Sequence, residues 1–384
     1  MTSSAISRPG ERDRWQTKVK QIDWGFALLI TLIAMIGALM LYSVAGMSWS
    51  PWAYNHLFRY GFFFIIMIGL ALVDLRVWFA LSYPVYALGL FLLVLVELFG
   101  DVRLGAQRWL DLGFISFQPS EIMKIGIVMA LARWYHGADK RAAHFSVQLL
   151  VPMMMIALPV ALVAHQPDLG TSLLILMSGL AIVFVAGLSW KVIVPTVVGV
   201  LALIPVMVQF VLHDYQRKRV MTFLNPEQDV SGDGYQILQS KIAMGSGGLL
   251  GKGLGLGSQS QLQFLPEKHT DFIMAAVAEE LGFVGSFAIL CLYALIIAMA
   301  LRIGTLSHSH FGRLAVVGAT STFALYVLIN GAMVMGMAPV VGVPMPLLSN
   351  GGTVMLTVMI GFGLIMGVRV HRYDELPSGR GQLW

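Results

Sequence analysis

The residues best suited to acid–base chemistry lie between positions 260 and 280. His269, Thr270 and Asp271 close a long polar, glycine-rich stretch, and an apolar run holding Glu279 and Glu280 follows at once. A carboxylate at the junction of a loop and an apolar helix is costly to desolvate, which makes it a candidate for function. Asp271 has two readings. It is either an acid capping the helix, or a general base whose pKa is raised by partial burial at the membrane boundary. Arg217, Lys218, Arg219, Lys241, Lys252 and Lys268 precede it in the same stretch. They are either solvated surface charge or the lining of an anion site, and arginine with lysine favours phosphate. The run GSGGLLGKGLGLG at 245–257 reads either as a flexible loop or as N–H groups approaching a diphosphate beside Lys252. No Lys-Ser/Thr pair closes it into a nucleotide-binding loop.

Other charged groups sit inside apolar runs. Glu121 and Lys124 are three residues apart, so they share a helix face and can pair. They form either a structural ion pair or part of a polar cavity. Pro119 suits the first turn of their helix, with Gln118 or Ser120 as its cap. Asp168 stands at a helix start, as a cap or as a cavity-lining or metal-binding acid. One of Glu279 and Glu280 is expected to pair with a basic residue as structure. His165 and His269 are too separated for a histidine metal motif, and no HExxH spacing occurs. The single cysteine, Cys291, excludes an intrachain disulfide and is expected to be a small buried hydrophobe.

These groups need a membrane scaffold. The chain is 57% hydrophobic and only 12% charged, with a mean hydropathy of +0.78. Soluble domains carry about 25% charged residues. An all-α polytopic membrane protein is therefore expected, with about ten spans near 24–44, 56–73, 77–98, 119–134, 147–164, 171–188, 191–212, 272–301, 313–335 and 347–368. The short loops on the side of the termini carry Arg76, Arg133, Lys140, Arg141, Lys191, Arg302 and Arg313, which makes that side cytoplasmic. The expected organisation is a basic cytoplasmic tail over 1–23, a membrane domain over 24–370 and a cytoplasmic tail over 371–384. Segment 99–118 and the long segment 213–271 then lie outside, and 234–244 is expected to form a short interfacial helix. The net charge of +5 concentrates in the tails beside the bilayer, where basic clusters are topogenic and lipid-binding, so nucleic acid is not an expected partner. Trp49, Trp52, Trp78, Trp109, Trp134 and Trp190 fall near span ends, as interfacial anchors.

With those residues in view, the chain resembles the SEDS (shape, elongation, division and sporulation) family. The likeness runs from about 20 to 370 and rests on GAQRWLDLG at 105–113, QPSEIMKI at 118–125, QPDLGT at 166–171, SQLQFLPEKHTDF at 260–272, AEELGFVG at 278–285 and PVVGVPMPLLSNGGT at 339–353. QLQFLPEKHTDF and PVVGVPMPLLS are closer to the elongation type than to the division type. One position departs: the family usually has Ser-Tyr-Gly-Gly where this chain has Ser349-Asn350-Gly351-Gly352.

The resemblance implies a peptidoglycan glycosyltransferase that polymerises lipid II during cell elongation, with Asp271 as its essential catalytic residue. It also implies a class B penicillin-binding protein, a transpeptidase, as partner, together with other elongation-complex proteins. The expected location is the cytoplasmic (inner) membrane, with the active site on the periplasmic face. The substrate contacts expected on this basis are Arg108, Arg217, Lys241, Lys252, Lys268, His269 and Ser349, while Glu121, Lys124 and Asp168 shape the cavity. No cofactor is certain. A divalent cation, Mg2+ or Mn2+, is left open, and no ligand set for it is legible. The rival readings are a lipid II flippase and a non-catalytic scaffold for a transpeptidase.

Overall fold

Long apolar runs with few charges fold into helices that satisfy their own backbone, and polar residues mark where they start. The computed structural model describes residues 18–103, 106–111, 116–138, 147–188, 214–229 and 232–377, with isolated positions between 189 and 203. The longer helices are α1 (Trp24–Val44), α2 (Trp52–Ala71), α3 (Leu75–Phe99), α4 (Pro119–His136), α5 (Leu150–His165) and α6 (Leu169–Val185). After α7 (Asp214–Leu224), α8 (Asp233–Gly247) and the short α9 (Ser258–Gln261) come α10 (Ile273–Thr305), α11 (His310–Val334) and α12 (Gly352–Val370). Carboxylates or a hydroxyl cap several of them: Asp23 accepts from Phe26 N–H, Asp74 from Arg76, Asp168 from Thr171 and Ser309 from Gly312. Each such cap satisfies a donor that the helix leaves unpaired.

Five of these helices, α1, α3, α10, α11 and α12, are long and apolar enough to cross a membrane. The expected spans correspond to helices within a few residues, except 191–212, which lies mostly outside the described residues. Lys140, Arg141, Lys191, most of the first tail and half of the last also lie outside them. The bundle is not purely helical. Between α3 and α4 the chain forms a small antiparallel sheet of β1 (Asp101–Arg103), β2 (Ala106–Asp111) and β3 (Ser116–Phe117), where the sequence suggested only an outer loop. The long stretch after 213 is likewise structured. The helix expected at 234–244 is α8, and it packs along α10.

Helix α11 is central and touches α4, α6, α10 and α12, while α2 packs along α12. Burial follows from this placement: 72% of the apolar stretch of α12 is buried inside the protein against 28% of that of α10. Cys291 lies on the outer face of α10 and is exposed, which corrects the expectation of a buried hydrophobe. On a helix with so little protein around it, a small apolar side chain has no neighbour to bury it. Trp78 departs in the opposite sense and is buried at 7% exposure.

Candidate active site

Asp271 stands just before α10, half-buried, at one end of the bundle. Its surroundings come from the connection between α11 and α12. A Cβ placed on Gly342 would lie 3.6 Å from Asp271 Oδ2, so the carboxylate faces that connection directly. Asn330 of α11 fastens the two together. Its buried amide donates to the Asp271 carbonyl and to the Val343 carbonyl, each at 2.7 Å. The same connection meets α6, because a Cβ on Gly170 would come within 2.7 Å of the Val341 carbonyl. Only glycine permits that approach. The start of α6, with Asp168, is thereby held against the loop that Asp271 faces.

Asp168 is the cap expected at the start of α6. It caps Thr171 N–H at 3.1 Å, accepts from Gln118 Nε2 at 3.3 Å, and lies 3.7 Å from Arg108 Nε. Arg108 also donates to the Pro167 carbonyl at 2.5 Å and is partly exposed. A partly exposed guanidinium fixed by a carboxylate and a carbonyl keeps donors available for an anion.

Glu121 and Lys124 pair at 2.7 Å, as their spacing requires, and both are buried. Tyr326 of α11 accepts from Lys124, and Thr357 of α12 donates to Glu121 at 2.6 Å. Lys124 and Thr357 line a cavity of about 20 Å³. Small-molecule sites measure about 300–1,000 Å³, so this cavity is no sugar site. The pair ties helices together behind the site.

Several expected substrate contacts are committed elsewhere. Lys252 Nζ sits 2.6 Å from Glu279 and 2.9 Å from Ser258 Oγ. The glycine-rich stretch docks on a break in α10 at Gly282, whose φ of 68° is a left-handed conformation that favours glycine. The N–H groups of Lys252 and Gly253 bond the carbonyls of Glu279 and Glu280, and Phe283 and Val284 N–H groups bond the carbonyls of Gly248 and Leu249. These N–H groups are therefore not aimed at a diphosphate. They replace the helix bonds that the break removes. Lys268 is buried and donates to the Ser260 carbonyl. Burial lowers its pKa, opposed by the charge of Glu280. Ser349 is also buried, and its Oγ accepts from Met345 N–H at 2.9 Å within a tight turn.

His269 keeps a position at the site through its ring, which stacks on Trp52 with centroids 4.4 Å apart and planes 8° from parallel. Burial lowers its pKa first, with Glu267 raising it and Lys268 lowering it further. Its carbonyl accepts from Asn350 N–H at 2.9 Å, and Asn350 Oδ1 accepts from Arg59 at 3.1 Å. The departure at Asn350 thus places an arginine partner where the family usually has a ring. Arg217 is exposed on α7, and exposed Lys241 lays its stem against Gly336, just beyond α11. Asn330, Trp52, Arg59, Tyr326 and Thr357 were not singled out as site residues from sequence. Asn330 alone carried a signal, as an amide inside an apolar run. Among the described residues, the one group of metal-ligating side chains is Asp74, His371 and Asp374, beyond the other end of α12.

Residues 23–374 match the model of the FtsW, RodA and SpoVE family, described as cell cycle proteins. The peptidoglycan glycosyltransferase MrdB of Escherichia coli K12 is 43% identical over 365 residues, covering 95% of this chain and 97% of that protein. Stage V sporulation protein E of Bacillus subtilis is 32% identical over 368 residues, covering 93% of this chain and all of that protein (100%). A chain from a structure of a peptidoglycan synthase complex, concerned with coordinated polymerization and crosslinking, superposes with a TM-score of 0.80 at 30% identity, covering 92% and 99% of the two chains. The crystal structure of the rod shape determining protein RodA from Thermus thermophilus gives a TM-score of 0.69 at 28% identity, covering 92% and 98%.

Proposed function

Because the chain belongs to the FtsW, RodA and SpoVE family of cell cycle proteins, we propose that Asp271 is the general base of a peptidoglycan glycosyltransferase that polymerises lipid II. Peptidoglycan glycosyltransfer is its activity, and the mechanism is the proposal. The observation that carries it is the half-buried Asp271 carboxylate facing Gly342, with its main chain fixed to the same loop through Asn330.

Asp271 takes the proton from the C4 hydroxyl of one lipid-linked disaccharide as that oxygen attacks the anomeric carbon of another. The bond from the anomeric carbon to the undecaprenyl diphosphate breaks, and the diphosphate leaves with its electron pair. The α linkage of the donor becomes a β-1,4 linkage in the product. A single inverting displacement gives that outcome without a covalent enzyme intermediate, so one carboxylate suffices. The leaving diphosphate is a weak base that needs its charge neutralised rather than a proton. Arg108 is the best-supported cation for this, since Asp168 and Pro167 orient it beside the loop that Asp271 faces. Arg217 and Lys241 are the more exposed candidates. Lys252, Lys268 and Ser349 act through structure. His269 is a platform at the rim, held by Trp52. A divalent cation, Mg2+ or Mn2+, completes the proposal as a further source of positive charge.

The reading puts the reaction on the periplasmic face of the inner membrane, with both termini cytoplasmic, as the distribution of basic loops favours. The partner is a class B penicillin-binding protein within the elongation complex, a reading supported by the likeness to a chain of a peptidoglycan synthase complex. The test is lipid II polymerisation by purified protein, wild type against Asp271→Asn, with and without a class B transpeptidase and divalent metal. Glycan made by the Asp271→Asn protein at the wild-type rate rejects the assignment. Headgroup translocation without polymer would instead establish a flippase.

A further inference from the structure

We propose that Asp74, His371 and Asp374 form a divalent cation site that ties the segment after α12 to the turn between α2 and α3. It is independent of the polymerisation site. Helix α12 has 19 residues and spans about 28 Å at 1.5 Å per residue. Asn350 lies before its first residue and His371 after its last.

One ligand atom from each of the three side chains lies within 4.8 Å of those of the other two. Bonds of about 2.0–2.2 Å to nitrogen and oxygen put tetrahedral ligand atoms roughly 3.4 Å apart, so a modest inward movement closes the set on one ion. Acid proximity alone would not argue for a cation, and His371 supplies the second observation. It is 5% exposed, its Nδ1 bonds the Gly367 carbonyl at 3.0 Å, and its Nε2 is buried with no hydrogen-bond partner among the described residues. A histidine that gives one ring N–H to a backbone carbonyl presents the other nitrogen as a lone pair, the usual posture of a metal-bound imidazole.

Sequence supplies the elements separately. Asp74 caps α3 through Arg76 N–H at 2.9 Å, which fixes where its carboxylate can reach. His371 caps the end of α12 as the residue just after it, and Asp374 follows in a turn, its N–H donating to the His371 carbonyl at 3.0 Å. One imidazole with two carboxylates is a mixed nitrogen–oxygen set. It suits Zn2+, with a fourth position left to solvent, better than Mg2+, which prefers an all-oxygen shell. Lys18 lies close enough to act electrostatically on His371.

The test uses the full chain in detergent, stripped with EDTA and desalted, titrated with Zn2+ by calorimetry and followed by thermal unfolding. Mg2+ is titrated in parallel. Wild type is expected to bind one Zn2+ per chain with a rise in Tm. Asp74→Asn, Asp374→Asn and His371→Gln are each expected to weaken binding at least about tenfold. Asp74→Asn keeps a capping side chain, so folding survives that substitution. Absence of stoichiometric Zn2+ binding by wild type, or wild-type affinity in all three variants, overturns the site. Polymerisation by Asp374→Asn is expected to stay at the wild-type level. Any metal dependence of catalysis that persists in that variant belongs to the Asp271 region instead.

Discussion

Glu121 and Glu279 are both buried acids held by a lysine, at 2.7 Å and 2.6 Å, yet they serve the molecule differently. Glu121 and Lys124 lie on one helix, with side chains 6% and 1% exposed, and their remaining partners come from α11 and α12. That cluster is a closed junction of three helices. Glu279 is fully buried, but Lys252 reaches it from a loop and is 28% exposed. Ser258 Oγ, Gln259 N–H and Ser260 N–H also donate to Glu279, at 3.1, 3.0 and 3.4 Å. Its charge is shared among several donors at the start of α9. A pair sealed inside a bundle fails when one member is removed. A pair that anchors a loop is backed by other donors. Both acids are occupied by structural partners, which is why the proposed base is Asp271 rather than either of them.

The largest effect is expected from Asp271→Asn. Polymerisation should fall by at least about 100-fold, the lower end of what a general base contributes. Thermal stability should stay within about 0.5 kcal/mol, because the isosteric amide keeps the shape and the Asn330 bonds go to the main chain. Lys124→Ala comes next. It leaves Glu121 charged and buried, and breaking such a pair costs about 3–5 kcal/mol in denaturant or thermal unfolding. Lys252→Ala should cost less, about 1–2 kcal/mol, since Glu279 keeps three donors. Equal losses in these two variants would erase the distinction between the clusters.

The smallest effect is a pH dependence at the rim. His269 has its pKa lowered from 6.5 by burial, so the folded protein favours the neutral ring. Its contribution is fully present above pH 6.5 and declines as the pH falls through the depressed folded value. Unfolding of wild type and His269→Gln, compared at pH 7.5 and 5.5, should show the wild type losing more of its stability on acidification. Parallel losses would remove His269 from that account.

Much of this was legible in the chain. Spacing alone paired Glu121 with Lys124, since residues three apart on a helix share a face. The start of α6 at Asp168 and the approximate helix limits follow from capping and apolar length. Asp271 was legible as the acid at a junction. The roles of Lys252, Lys268 and Ser349 were not, because a cation in a loop and a serine beside glycines look the same in sequence whether they meet a ligand or a carbonyl. Gly282 explains the difference for the glycine-rich stretch. Its break frees backbone groups within α10, and the nearest chain able to answer them was the loop that reads from sequence as either flexible or diphosphate-binding.

The sequence by itself determined a helical membrane protein of a known family, with an acid at the mouth of a late helix. The helices and the junction follow from composition, periodicity and local spacing, which act over a few residues, whereas the family was carried by the resemblance of its motifs. Only the tertiary structure decided which polar groups share a site. Asn330 joins Asp271 to Val343, Gly170 brings α6 against Val341, and His371 meets Asp74. Such meetings join residues tens to hundreds of positions apart, and they depend on how the helices pack.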